Sequence, residues 1–237
     1  MQNSTPDSLS RITHAVQSHS RLAITASRRN VLPTMGERSP RAAGRARVVV
    51  PQNGMPARER ILAAADRLFY GRGVRAVGVD RLVDEAGVTR VTFYRHFPSK
   101  NHLVNAYLAG RLQGDRHRVE QLRAAHPDDP GAVLAALAEI LVQEMATPGF
   151  RGCPFANVTA EYGDDVHPAL PVAEQHQAWL LETVSGLLRE LGHARPDIVA
   201  EQLVMIRAGA MALSAVGHRA EIDEAFSRGW TALAAAA

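Results

Sequence analysis

The sequence predicts an all-α fold, on three observations. Apolar residues make up 46% of the chain while aromatics make up only 5%, an Ala- and Leu-rich balance that favours packed helices over sheets. From Pro56 onward the apolar residues recur at helical spacing, and no stretch reads convincingly as a strand. Gly and Pro clusters fall between the periodic stretches, where helices would stop.

The elements follow in chain order. Residues 1–54 scatter Ser, Arg, Asn, Pro and Gly with no sustained period. Their few apolar side chains could not offset ordering entropy, so a disordered basic tail is expected. Val48–Val50 is too short and isolated for a useful strand. Because periodicity starts abruptly after Met55, a native protein translated from Met55 is a further expectation. Ile61, Leu62, Ala65, Leu68 and Phe69 then line one face of a first helix. Pro56 suits its first turn and Gly71-Arg-Gly73 stops it. Val79–Ala86 gives a short second helix with Leu82, Val83 and Ala86 inward. Gly87 turns the chain, and Thr89 caps a third helix running to about Phe97. Pro98 and Ser99 open a long fourth helix to about Ala125, ended by the doubly proline-broken stretch His126–Pro130. Further helices are expected at about 131–146, 154–162, 168–192, 197–216 and 220–235. The breaks between them are Pro148-Gly149, Gly163-Asp-Asp165, Gly192–Pro196 and Gly217. The expected organisation is a tail (1–54), a three-helix head (55–103) and a helical body (104–237), with the long fourth helix joining head to body.

Bulk properties exclude several classes. No continuous apolar run reaches the roughly 18 residues of a bilayer span, and the N-terminus lacks the apolar core of a secretory signal. A lone cysteine, Cys153, rules out an intrachain disulfide framework and fits a reducing compartment. A cytoplasmic protein with no membrane partner and no cofactor is expected. The net charge of +3 is unevenly placed. Residues 1–54 hold 8 basic and 2 acidic side chains, 55–103 hold 9 and 5, and 104–237 hold 10 and 17. A basic front and an acidic back predict a polyanionic partner at one end only.

The most informative stretch is Gly78–Lys100. Two short helices meet at a tight glycine turn, the layout of a helix-turn-helix. Small Ala86 and Gly87 let the helices approach, while Leu82, Val88, Phe93 and Phe97 pin the second against the first. Its other face carries Thr89, Arg90, Thr92, Tyr94 and Arg95. That surface is polar and twice positive, on an element that fits the roughly 12 Å major groove of DNA. Arg can grip guanine O6 and N7 through two hydrogen bonds, whereas Thr and Tyr hydroxyls and a Lys ammonium suit phosphates.

From about Arg58 to Leu103 the chain resembles the TetR family of one-component regulators. The string that carries the likeness is Ala-Gly-Val-Thr (86–89) followed by Thr-Phe-Tyr-Arg-His-Phe-Pro-Ser-Lys (92–100). The family places a Tyr at Tyr94, an aromatic at Phe97 and a Lys at Lys100, which is the only lysine in this chain. The resemblance implies double-stranded DNA as partner. It also implies phosphate contacts from Thr92, Tyr94 and Lys100, and base contacts from Arg90, Val91 and Arg95. Two positions depart from the family: Gly78 stands where a Ser or Thr cap is favoured, and Val91 where a small residue is common.

By the same resemblance the body should bind a small-molecule effector and form a homodimer, the whole acting as a repressor that releases a near-palindromic operator. Ile198, Leu203, Val204, Met205, Ile206, Met211 and Leu213 spread apolar surface around more than one face of a helix, and Ala208, Gly209, Ala210 and Ala212 permit close approach. Phe226, Trp230 and Leu233 recur on one face of the last helix. The dimer interface is therefore expected at about 197–216 and 220–235. For the effector pocket the candidates are Tyr107, Leu141, Met145, Phe155, Tyr162, His176 and Trp179, with Leu108, Leu112 and Phe150 nearby.

Rival readings stand beside this one. Phe150–Tyr162 resembles the start of a sensor-domain helix in some TetR-type regulators, and Cys153 at that helix N-terminus would suit a redox or electrophile sensor. An all-helical chain could also be a protein-binding adaptor. Asp164, Asp165, His167, Glu174, His176 and Cys153 cluster in sequence, but their spacing matches no metal-ligand pattern. Nucleophile-elbow, phosphate-loop and dinucleotide motifs are missing, so an enzyme is not expected.

Overall fold

The computed structural model describes residues 54–162 and 169–235. The basic segment 1–53 and the Gly163-Asp-Asp165 turn lie outside the described residues, as do the expectations attached to them. Among the described residues every element is helical. The helices are α1 (Ala57–Arg72), α2 (Val79–Ala86), α3 (Arg90–His96), α4 (Lys100–Ala125), α5 (Pro130–Met145), α6 (Pro154–Tyr162), α7 (Leu170–Glu190), α8 (Pro196–Gly217) and α9 (Ala220–Ala235).

Local chemistry sets the boundaries. At the end of α1, Gly73 takes φ +84° and its N–H closes onto the Phe69 carbonyl. The Thr89 and Ser99 hydroxyls accept from the N–H groups of Thr92 and His102, capping α3 and α4. Asp129 does the same for α5, accepting from Ala132 at 2.9 Å. Proline at the first turn of α5, α7 and α8 costs no intrahelical bond.

Two apolar cores organise the molecule. The first unites α1 to α4 through Ile61, Leu82, Phe93, Leu103 and Leu108, and it takes Phe155 and Val158 from α6. The second joins α5, α7, α8 and α9 through Leu134, Leu187, Leu203 and Trp230. Head and body thus share side chains across residue 103. α6 bridges the two parts: Phe155 and Val158 join the head core, while the helix itself packs against α7 of the body.

Packing corrects one expectation and extends another. Phe226 and Trp230, which the periodicity offered as interface anchors, are buried inside this chain, and Leu233 packs partly buried against the same core. The Trp230 indole donates to the Leu134 carbonyl at 3.1 Å, fixing it to α5. α8 is two-faced: Ala200, Leu203, Ala210 and Met211 are buried, while Ile198, Met205, Leu213 and Val216 are exposed. By length and composition this 22-residue helix reaches the apolar character of a bilayer span, which counting continuous runs misses. Its inward stripe nevertheless packs into the chain's own core.

Candidate functional site

The helix-turn-helix is built from its turn outward. Gly87 adopts a left-handed conformation, φ +60° and ψ +44°, which reverses the chain between α2 and α3. The Gly87 carbonyl accepts from the Arg60 guanidinium of α1 at 3.2 Å, so the turn is tied to the head's first helix. Arg67 and Glu85 bridge α1 and α2 at 3.2 Å. Beneath α3, Phe93 is fully buried, lying edge-on to Tyr94 and 6.2 Å from the Phe97 ring.

This anchoring divides α3 into two faces. Phe93 and Phe97 point inward, while Thr89, Arg90, Val91, Tyr94 and Arg95 are exposed and Thr92 is half-buried. Val91 is 80% exposed, at the middle of the outward face. The Thr89 hydroxyl is committed to its cap and to Thr92 Oγ1 at 3.0 Å. The Arg90 Nε reaches back to Asp80 Oδ1 of α2 at 2.7 Å, an ion pair exposed on both sides. It lies on the surface, so Arg90 is oriented rather than sequestered. That hydrogen bond is the main reason its guanidinium holds its proton more tightly than usual.

Lys100 sits in the first turn of α4, half-buried. Desolvation pulls its ammonium below the ordinary lysine pKa, an effect opposed by the nearby Glu161 carboxylate. Glu161 ends α6 and joins it to the head. Its two oxygens accept the N–H groups of Val74 (2.9 Å) and Arg75 (2.6 Å) in the α1–α2 connection. A second tie is Tyr70, whose hydroxyl accepts from the Arg151 N–H at 2.9 Å and donates to the Gly152 carbonyl at 3.0 Å. Periodicity could not find Glu161 or Tyr70, because the groups they bind are backbone amides and a carbonyl brought near by folding.

In the body, a cleft of about 60 Å³ opens between α4, α5 and α7, closed by Arg207 of α8 and Trp230 of α9. Of the candidate pocket residues it gathers Leu141, His176 and Trp179. Tyr107, Met145 and Phe155 are buried core residues outside its lining, as are Leu108 and Leu112, and Tyr162 lies under the Arg75 guanidinium. Asp115, Arg118, Glu144 and Arg207 line it and were not foreseen. Arg118 meets Glu144 at 2.8 Å and Asp115 at 3.6 Å. The His176 ring stacks on Phe155 with centroids 3.8 Å apart, and its Nε2 lies 3.5 Å from Asp115. Cys153 is partly buried and packs against both apolar cores. Among the described residues no group of three His, Cys, Asp or Glu could hold a metal, and Asp164, Asp165 and His167 lie outside them.

A capped, exposed polar helix behind a left-handed glycine turn is the arrangement of a helix-turn-helix. Comparison with known proteins gives the family. Residues 61–107 match the model of bacterial regulatory proteins of the tetR family. A TetR-family transcriptional regulator from Streptomyces coelicolor is similar in structure, with TM-score 0.71 and 39% identity over 75% of this chain and 94% of that one. Among curated relatives, TtgR of Pseudomonas putida is 33% identical over 142 residues, 58% of this chain and 65% of its own length. LmrA of Bacillus subtilis is 30% identical over 105 residues, 44% and 56% respectively. The matches thus span less than two thirds of the length of either relative. The chain belongs to the TetR family of transcriptional regulators, DNA-binding proteins without enzymatic activity.

Proposed function

We propose that this regulator is a repressor whose homodimer holds two α3 helices in successive major grooves of a near-palindromic operator. It lets go when a small molecule fills the body cleft. The observation that carries the reading is the division of α3: Phe93 is fully buried while Val91, on the opposite side, is 80% exposed. Arg90, Val91 and Arg95 are assigned to base edges, and Thr92, Tyr94 and Lys100 to phosphates. Thr89 supplies the cap that fixes the helix.

Pairing rests on α8. Only 28% of its most apolar stretch is buried within the chain. Ile198, Met205, Leu213 and Val216 form the exposed stripe, with Ala208, Gly209 and Ala212 between them. A two-fold partner there, beside α9, would cover that surface and space the heads by about 34–36 Å.

Effector coupling is supported by a chain of contacts. His176 of the cleft stacks on Phe155 of α6, and Glu161 at the other end of α6 seats the loop before α2. Any shift of α6 would move the head, alongside tilting of α4. The expected coupling is about 1–3 kcal/mol.

A gel-shift and footprint on the intergenic DNA beside the protein's own gene tests this. Two protected half-sites about ten base pairs apart, with steep salt dependence, are expected. A folded dimer that retains no DNA at low salt would leave the adaptor reading instead.

A further inference from the structure

We propose that the body cleft takes a small organic anion, an apolar body of about one ring bearing one carboxylate, and that Arg207 is its anchor. This rests on the reading of the cleft as the effector site and names what enters it. α8 presents an inward stripe of Ala200, Leu203, Ala210 and Met211, all buried in the second core. Arg207 interrupts that stripe and lines the cleft. A guanidinium cannot shed its charge, so on an inward helical face it needs a counter-charge or water.

The cleft's own charges do not supply one. Glu144 is held by Arg118 at 2.8 Å, and Asp115 stands between Arg118 and His176 at 3.6 and 3.5 Å. Both carboxylates are thus engaged within this cluster, while Arg207 makes no ion pair among the described residues. A cationic ligand would have to compete with Arg118 for Glu144 or Asp115, whereas a carboxylate would meet at Arg207 a fork of donors that no carboxylate engages. The remaining wall suits an apolar body, since Leu137, Ile140, Leu141, Trp179 and Trp230 face the same space. At about 60 Å³ the cleft is small beside the roughly 300–1,000 Å³ of drug-sized sites, which favours a small molecule over a long chain or fused polycycle.

The test uses the chain's only two tryptophans, Trp179 and Trp230, because both line the cleft. Their fluorescence is followed while the full-length protein is titrated with benzoate, benzyl alcohol or benzylamine. Benzoate is expected to bind about tenfold or more tighter than the alcohol, the worth of one charge-assisted hydrogen bond. Arg207→Gln should abolish that preference while leaving the alcohol's affinity unchanged, and Arg207→Lys, which keeps the charge, should preserve most of it. Equal affinity for all three compounds, or preference for the amine, overturns the anion inference but leaves the cleft as a binding site. No response to any of the three overturns both. Binding of benzoate through Arg207 with DNA affinity unchanged supports the inference and removes the effector reading. Should Arg207→Gln fail to fold, the charge series on the unmodified protein still decides.

Discussion

Arg90 of the recognition helix and Asp80 of α2 are joined across the turn, guanidinium Nε to carboxylate Oδ1 at 2.7 Å, with both side chains open to solvent. The pair contributes little to stability, since exposed ion pairs are screened. Its value is orientation: the long Arg90 side chain, otherwise free to sample many rotamers, is aimed along the face that would meet DNA. Asp80→Asn should therefore leave the melting temperature nearly unchanged while loosening discrimination among operator variants. Fragment-selection sequencing on the two proteins checks this; identical sequence preferences would detach Asp80 from recognition.

Arg90→Ala and Lys100→Ala should fail differently. Loss of Arg90 is expected to cost about tenfold or more in discrimination at one base position, with little change on nonspecific DNA. Loss of Lys100 should weaken all DNA alike and reduce the salt-dependence slope by about one unit. Equal effects from both variants would overturn the division between base and phosphate contacts.

Phe93 is fully buried between α3 and the rest of the head, in the core that also holds Leu82 and Leu103. Phe93→Ala should cost about 3–5 kcal/mol by urea unfolding and remove DNA binding with it. Retention of operator affinity by that variant would mean α3 holds its position without this anchor.

The seat of Glu161 can be broken from either side. Glu161→Ala leaves the amides of Val74 and Arg75 without their carboxylate, at a cost of about 1–3 kcal/mol. At Gly73, φ is +84° and an added Cβ would come within 2.8 Å of Glu161 Oε1, so Gly73→Ala strains the backbone and displaces the carboxylate together. Both variants should weaken the response of DNA affinity to any effector that acts on the wild type. An unchanged effector response, measured by gel-shift titration, would take α6 out of the coupling route.

Alkaline pH offers a check of a different kind. Burial is the first cause raising the hydroxyl pKa values of Tyr70, Tyr107 and Tyr162 in the folded chain. The unfolded chain releases these protons from about pH 10, while the folded chain keeps them. Their contribution is therefore complete below that pH and is lost as pH rises through the folded values. Lys100, shifted downward, works in the opposite direction but is a single group. Denaturant midpoints should fall above about pH 10, and Tyr107→Phe should flatten the fall. A midpoint rising over that range would contradict the burial of these rings.

The helices were legible because their apolar periods are long and their ends carry local signals such as Thr89, Ser99 and Gly73. The recognition face was legible because it is continuous in sequence. The cleft was only partly so, since five helices contribute to it and Arg207 is concealed in a helix that otherwise reads as apolar. Periodicity also shows that a face is buried without showing against what: Trp230 was expected at an interface and lies under Leu134 instead.

The central claim is that α3 enters the major groove with Arg90 and Arg95 toward the bases. Dimethyl sulfate protection of guanine N7 on the selected operator tests it most directly, because that atom faces only this groove. Protected guanines in two half-sites, one of them reopened in Arg90→Ala and another in Arg95→Ala, are the expected result. Binding that leaves every guanine N7 reactive, or protection indifferent to both arginines, would contradict it.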